Sequence, residues 1–433
     1  MSLALGAIPC RSAAEEGISL SGRLKFATDY ALDSSTKTDR PSVAARLELD
    51  DRRTAWNVHA WMEGKWAMDD DDQKAVAFKQ VDKVYGNDNR PLELKELFIE
   101  RERAGIDWRV GVQRFAWGRL DEYPINDLFN PWDYDQFIIN PLEERKIGVP
   151  AVSAAFGQLD WSAQLVWVPW FVPYRLPDSD SRWALLPSAA TREADLPART
   201  LDNGSVGMRV RFSGEIESAL YCFHGFDPRP VFGILPQTDP GIANGWDSFP
   251  FVPVFHTITS VGMDAATVLG PVSLRGEAAW TKNRAFNIRS ELWADTAAQR
   301  AGTASQPSIE RELDTVDYGM AADYRLFEDG LLTVQAQQTV LLSRPDELYE
   351  RQFETLLWAN FKVDWFNQKV ETYCNLAYNP EHGGSMIRAG VTYNLTDYWK
   401  TNLKAFFFDG PPQSLFGRYA MNDQVRWELV YQW

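Results

Sequence analysis

From residue 18 onward, apolar side chains recur at every second position in one segment after another, which is the signature of β-strands with two unlike faces. The clearest stretch places Trp56, Val58, Ala60, Met62, Gly64 and Trp66 on one face and Asn57, His59, Trp61, Glu63 and Lys65 on the other. At ~3.3 Å per residue such a strand of about ten residues is roughly 33 Å long. Tilted by about 40°, it rises roughly 25 Å, the height of the apolar band of an outer-membrane barrel. A half-buried strand of a soluble protein is typically only about 5–6 residues long. The pattern returns at Ile106–Gln113, Trp161–Val168, Val272–Trp280 and Leu357–Trp365. Parity places the aromatics Trp56, Trp66, Trp108, Trp161, Trp167, Trp280, Trp365, Tyr431 and Trp433 on the outward, membrane-facing side.

The links between these segments alternate in length. Short ones hold turn residues: Asp50-Asp51-Arg52, Arg103-Ala104-Gly105, Gly157-Gln158, Ser213-Gly214, Gly270-Pro271, Glu328-Asp329-Gly330, Asn367-Gln368 and Thr396-Asp397. Longer ones span residues 31–42, 68–91, 115–148, 170–203, 225–252, 282–312, 343–350, 379–384 and 409–422. Short periplasmic turns and long extracellular loops are the asymmetry of transmembrane barrels. The chain is therefore expected to be all-β, a transmembrane antiparallel up-and-down barrel of about 18 strands, with sixteen as the alternative count. Residues 15–433 read as one barrel, since neither a second domain nor a Pro/Gly/Ser linker interrupts the pattern.

Composition narrows the class. A net charge of −16 excludes the basic footprint of a nucleic-acid binder. A mean hydropathy of −0.34 is compatible with a barrel, because only alternate side chains meet lipid. Residues 1–14 resemble the remnant of a signal peptide, with Ser12-Ala13-Ala14 as a small-residue cleavage site. Beyond Cys10 only Cys222 and Cys374 remain, which make neither a disulfide framework nor a metal site, so no metal and no cofactor are expected. The run Asp69-Asp70-Asp71-Asp72 has the hard oxygens that suit a divalent cation bridging to lipopolysaccharide phosphates. A solvated acidic loop is the simpler reading.

The link 115–148 stands apart, holding seven acidic and three basic residues between Phe115 and Lys146, two Asn-Pro steps, and the apolar Phe129, Trp132, Phe137, Ile138 and Ile139. So many apolar groups in an outer loop suggest that it packs against the lumen wall. Arg119, Asp121, Glu122, Asp127, Asp133, Asp135, Glu143, Glu144, Arg145 and Lys146 are then candidates for a constriction that selects solutes by charge. A loop folded over the mouth is the alternative. On the strands, parity turns Arg109, Arg209, Arg211, Arg275, Glu277, Asp317, Asp323, Lys362, Asp364, Arg426 and Glu428 inward, with Lys404 among them, as a ladder of lumen charge. Enzymatic chemistry is not expected. The nearest candidate triad, His256, Ser260 and Asp264, spreads its members over about 13 Å of one strand, too far for a relay.

The last residues put Val425, Trp427, Leu429, Tyr431 and Trp433 on one face. This resembles the closing strand of Gram-negative outer-membrane proteins, usually ended by Phe, which implies outer-membrane lipid and lipopolysaccharide as surroundings and the barrel assembly machinery as a partner. The stretch Gly111-Val112-Gln113-Arg114, Trp117-Gly118, Asn130-Pro131-Trp132-Asp133, Glu144-Arg145-Lys146 and Pro150, with Phe416-Gly417-Arg418 and Asn422-Asp423, resembles a porin-like family of unknown function; Val112 stands where that pattern has Arg. That family offers no settled substrate, so the resemblance supports the fold more than the function. A ring of about 18 strands encloses an aqueous channel unless something plugs it, so a channel for small hydrophilic solutes is expected, possible as a homotrimer or with a periplasmic or export partner. Other readings are a scaffold enclosing a polymer, lipid or electron carrier, a surface adhesin, and, at the level of fold, a soluble all-β propeller.

Overall fold

The computed structural model describes residues 17–33, 41–52, 56–67, 92–177, 181–184, 196–234, 251–292 and 309–433. Its strands are β1 (Ile18–Ala31), β2 (Ser42–Asp51), β3 (Asn57–Ala67), β4 (Leu92–Arg103), β5 (Ile106–Gln113), β6 (Val149–Gln158), β7 (Trp161–Val168), β8 (Ser205–Phe212), β9 (Glu217–Phe226), β10 (Val231–Ile234), β11 (Phe251–Val254), β12 (Thr257–Leu269), β13 (Val272–Asn287), β14 (Glu310–Phe327), β15 (Gly330–Leu341), β16 (Phe353–Trp365), β17 (Val370–Asn379), β18 (Gly384–Asn394), β19 (Trp399–Asp409) and β20 (Gln424–Gln432). Eighteen of them make one antiparallel sheet, each paired with its neighbours along the chain. β1 pairs with β2 on one side and with β20 on the other, so the sheet closes into a barrel without an edge. β10 and β11 form a separate hairpin in the link between β9 and β12, an element the alternating pattern does not announce.

The two faces of the wall are chemically opposite. Outward side chains such as Leu24, Met62, Trp108, Val261, Met320, Leu376 and Leu403 stay between 42% and 64% exposed. They form an apolar belt far beyond the few hundred Å² patch of an ordinary soluble monomer. Trp56, Trp66, Trp167, Trp280, Trp365 and Trp433 are exposed with them, and Trp161 and Tyr431 are half-buried by aromatic neighbours. Closure is completed at the chain's last residue: Gly22 and Trp433 exchange two backbone hydrogen bonds of 3.1 Å.

The short links fall at the sequence-marked turns. In the β4–β5 turn, Ala104 and Gly105 both have positive φ (55° and 75°), the hairpin geometry whose twist matches the flanking strands. Three boundaries differ. Gly157 and Gln158 are the last residues of β6, paired with Ser162 and Trp161 of β7, and the turn falls on the next two residues. Asp50 and Asp51 belong to β2, paired with β1 and β3, rather than to a turn. The link 282–312 is shorter than the sequence suggests, because β13 runs to Asn287 and β14 begins at Glu310. One extra residue is inserted in β13 between Thr281 and Arg284, so the period of two slips there and the alternation stops being readable. The leader at 1–14 and the Asp69–Asp72 run lie outside the described residues.

A charge on the outer face tests this arrangement. Leu403, in the middle of β19 between Val391 and Trp427, is 53% exposed. Leu403→Arg is expected to cost about 2–4 kcal/mol, the penalty for a cation near a bilayer midplane. Denaturant unfolding from lipid vesicles measures it; no loss of stability would contradict a lipid-facing position.

Candidate functional site: a loop across the lumen

The link between β5 and β6 turns into the barrel, and one asparagine clasps its neck. Asn130 accepts a bond from the amide of Phe115 and donates to the carbonyls of Gln113 (3.1 Å) and Ile147 (2.8 Å). Its side chain thereby ties the end of β5, the middle of the loop and the approach to β6 together, and it is 1% exposed. Gln113, the last residue of β5, bonds the carbonyl of Ala151 (2.8 Å) and accepts from Ser153 (2.8 Å) at the same level.

From this neck a first lobe packs on one wall. Phe115, Trp117 and Phe129 cluster with the inward Val166, Ala219, Tyr221, Phe223 and Ile258. Trp117 meets Phe129 edge-on at 4.8 Å between ring centroids. The anchor is Glu277 of β13, 4% exposed. Its carboxylate accepts the amides of Arg119, Leu120 (2.5 Å), Ile125 (2.9 Å) and Asn126 (3.0 Å), and the Asn126 side chain (3.1 Å). Backbone comes this close only because residue 118 is glycine, with φ at 88°; a Cβ there would stand 2.6 Å from the Glu277 carboxylate. Arg119 reaches Asp264 (2.7 Å) and Glu217 (2.9 Å), while Arg275 holds Asp121 (2.7 Å), Asp323 (3.0 Å) and the Arg119 carbonyl (2.6 Å).

A second lobe packs on the opposite wall. Phe137, Ile138 and Ile139 join Trp183, Trp358, Ala377, Met386, Phe406, Phe408, Phe416 and Tyr419 in a second core. Glu122 lies between two guanidiniums, Arg388 of β18 (2.6 Å) and Arg145 of the loop (2.8 Å). Glu144 takes Arg23 (2.7 Å) and Lys25 of β1, and Glu143 takes Arg46 of β2 (2.6 Å). Asp133 pairs with Arg175 (2.7 Å), Asp135 stands 4.0 Å from Lys65, and Lys146 closes on Asp127 inside the loop. Arg426 of β20 binds Asp29 (2.7 Å) and also donates to Asn140 (2.9 Å) and Gln136 (2.9 Å). The loop is thus bonded to β1, β2, β13, β15, β18 and β20, strands from all round the wall.

Burial and pairing compete at the loop's carboxyls. Burial raises the pKa of Glu122 and of Glu144, but the charges of Arg388 and Arg145, and of Lys25 and Arg23, outweigh it and hold both below the ordinary range. At Asp127 burial wins over Lys146, and the carboxyl is pushed up.

All ten loop candidates lie in the described residues, and the wall partners of most are ones that parity alone did not single out: Arg23, Lys25, Arg46, Asp264 and Arg388. A signal for Arg23, Lys25 and Asp29 existed, since β1 alternates them with Leu24, Phe26 and Tyr30. The inward-facing charges mostly pair within the wall. Arg109 binds Glu100 (2.6 Å), Asp317 binds Arg284 (3.0 Å), Lys362 binds Glu371 (2.5 Å) and Asp364 (3.8 Å), and Glu428 binds Lys404 (2.7 Å). Arg209 instead donates to the Ala116 carbonyl (3.1 Å) and Gln164 (3.0 Å), and Arg211 lines a cavity beside it. His256, Ser260 and Asp264 take separate partners: Glu312, Thr281, and Arg119 with Tyr221.

The family model described as "Protein of unknown function (DUF1302)" matches residues 12–357. The chain belongs to this family. No protein of curated function matches it. Among solved structures, this DUF1302 barrel is similar to OccAB1 of Acinetobacter baumannii (9% identity, 96% of this chain and 95% of that one, TM-score 0.53). It is also similar to OccK3 (OpdO) of Pseudomonas aeruginosa (10% identity, 96% of each chain, TM-score 0.53) and to OccK8 (OprE) of the same organism (10% identity, 96% and 98%, TM-score 0.52). At such identities the likeness is one of fold.

Two outcomes are expected of the DUF1302 loop. Glu277→Gln replaces an acceptor oxygen by a donor that faces the loop's own amides. It should cost about 2–3 kcal/mol and expose the 118–126 segment to protease added from the long-loop side. As to pH, a carboxyl depressed in the folded state contributes stability above its unfolded pKa of about 4.3 and loses it as pH falls through the lower, folded value. Protease protection of the loop should therefore decline as pH falls below about 4; a decline centred near 6 would contradict the pairing of Glu122 and Glu144.

Proposed function

We propose that this barrel is a channel of the Gram-negative outer membrane whose bore is narrowed by the loop 115–148, passing small hydrophilic solutes. The single observation that carries the reading is the loop's attachment to opposite walls of an 18-stranded barrel. A wall of that size encloses an aqueous channel unless something fills it. The loop supplies the filling, in a form fixed by ion pairs rather than free to swing. The outer-membrane porins that share the fold support a channel-like barrel, and the apolar belt and the closing β20 support insertion into outer-membrane lipid.

The loop's charge pattern also bears on selection. Arg119, Glu122, Glu144 and Arg145 are largely buried and paired, so the loop acts on solutes more by width than by a strong transverse field. Purified barrel in planar bilayers is expected to give small, discrete conductance steps. Deleting residues 119–140 should raise the step several-fold while the protein keeps the heat-shifted gel mobility of a closed barrel. Steps of the same size with and without the loop would remove it from the conduction path, and no conductance from either form would refute the channel.

A further inference from the structure

On the outer face of the wall, the short-turn end of β4 breaks the apolar pattern. Leu97 and Ile99 are exposed and continue the belt. The next two outward positions of the same strand are Arg101 and Arg103. The register sets Arg101 beside Trp108 of β5, and Arg103 beside Ile106. The Arg101 guanidinium also lies over the ring of Trp56, 4.6 Å from its centroid. The row thus runs tryptophan, arginine, tryptophan, and both indoles are exposed. At the short turns that follow β6, β8, β12 and β16, the outward rim instead carries Phe156, Phe212, Leu269 and Trp365.

Neither arginine is neutralised. Among the described residues no carboxylate lies within ion-pair distance of Arg101 or Arg103. Strand alternation turns the neighbouring Glu100 and Glu102 to the lumen, where they line a cavity. A cation on the lipid face is costly at the bilayer midplane and tolerated at its edge. At ~3.3 Å per residue and a tilt of about 40°, Arg103 stands roughly 15 Å nearer that edge than Leu97. The two guanidiniums therefore lie where headgroups begin, the level at which exposed tryptophans settle. A guanidinium meets phosphate oxygens through two parallel bonds, so the group that suits this patch is a phosphate. Above it, Ile99 and Val110 pair across the two strands and offer an apolar bed for acyl chains.

We propose that the outer face of β4 and β5 binds one anionic phospholipid of the periplasmic leaflet, its phosphate on Arg101 and Arg103 and its chains on Leu97, Ile99 and Val110. A net-negative headgroup is favoured because no carboxylate stands between Trp56 and Trp108 on this face to receive the ammonium of a zwitterionic one. The proposal rests on the outer-membrane reading for the presence of the lipid. Its place in the fold gives it a use: β5 runs directly into the loop 115–148, so a lipid held here steadies the strand that launches the loop.

The test titrates the purified barrel in detergent micelles with phosphatidylglycerol, phosphatidylethanolamine or glycerol 3-phosphate and counts bound molecules by native mass spectrometry. One phosphatidylglycerol is expected to bind, in preference to phosphatidylethanolamine. An arginine near a membrane surface contributes roughly fivefold in affinity for anionic lipid. Arg101→Gln and Arg103→Gln should each weaken phosphatidylglycerol by about that factor, and the double variant by about 25-fold. Arg101→Lys, which keeps the charge without the fork, should fall between wild type and Arg101→Gln. Variants with intact heat-shifted mobility that bind phosphatidylglycerol like wild type would overturn the site. Equal binding of the two lipids would overturn the anionic headgroup, and glycerol 3-phosphate competing as well as the lipid would replace the lipid by free phosphate. Vesicle insertion separates the two readings. A barrel that does not enter phospholipid vesicles sinks the outer-membrane reading, whereas one that enters them without preferring phosphatidylglycerol sinks the lipid site alone.

Discussion

Hydrogen-bond closure of the wall is the constraint from which the remaining structure follows. A strand facing hydrocarbon has no water to satisfy its amides and carbonyls, so every one must find a partner on the neighbouring strand. The β1–β20 pairing meets that demand across nearly the whole length of the chain, joining residue 22 to residue 433. Once the ring is closed, strand parity decides every side chain at once: outward positions must suit lipid, and inward ones must suit water or protein. The lumen of so large a ring is too wide for its own side chains to fill. A segment of the chain itself takes the space.

That segment carries many charges into a place where they are half removed from water, and the wall has matching groups waiting. Removing a carboxylate from solvent costs several kcal/mol unless it is paired and hydrogen-bonded. Here Glu277 is satisfied by five donors from the loop, and Glu122 by two guanidiniums from different elements. The apolar parts of the loop divide between two cores on opposite walls, so packing and charge pairing fix the same placement. Gly118 and Asn130 are the local devices that make it attainable, one by letting backbone approach a carboxylate, the other by clasping three carbonyl and amide groups at the neck.

The wall was almost wholly legible in the sequence, because a period of two with aromatic ends reflects a physical boundary that every strand meets in the same way. Where the wall departs from regularity, the reading failed: the inserted residue before Arg284 shifts parity, and the β10–β11 hairpin faces neither lipid nor lumen in any repeated pattern. The loop was recognisable as unusual from its Asn-Pro steps and apolar content. Its partners were not. Arg388 meets Glu122 across 266 positions and Arg426 meets Asn140 across 286, and no local spacing encodes pairings between one loop and strands spread round a ring. Parity could place Arg388 or Lys25 on the inner face, but which carboxylate each would meet depends on the loop's path through three dimensions.

The loop's attachments have a mechanical consequence. A segment braced against strands as far apart as β1, β13 and β18 works as a crossbar, so the space left in the lumen is not set by the loop alone. Any flattening of the wall, such as lateral pressure from the surrounding lipid would produce, must stretch or compress the crossbar's ion pairs. Roundness of the barrel and placement of the loop are in this protein a single coordinate.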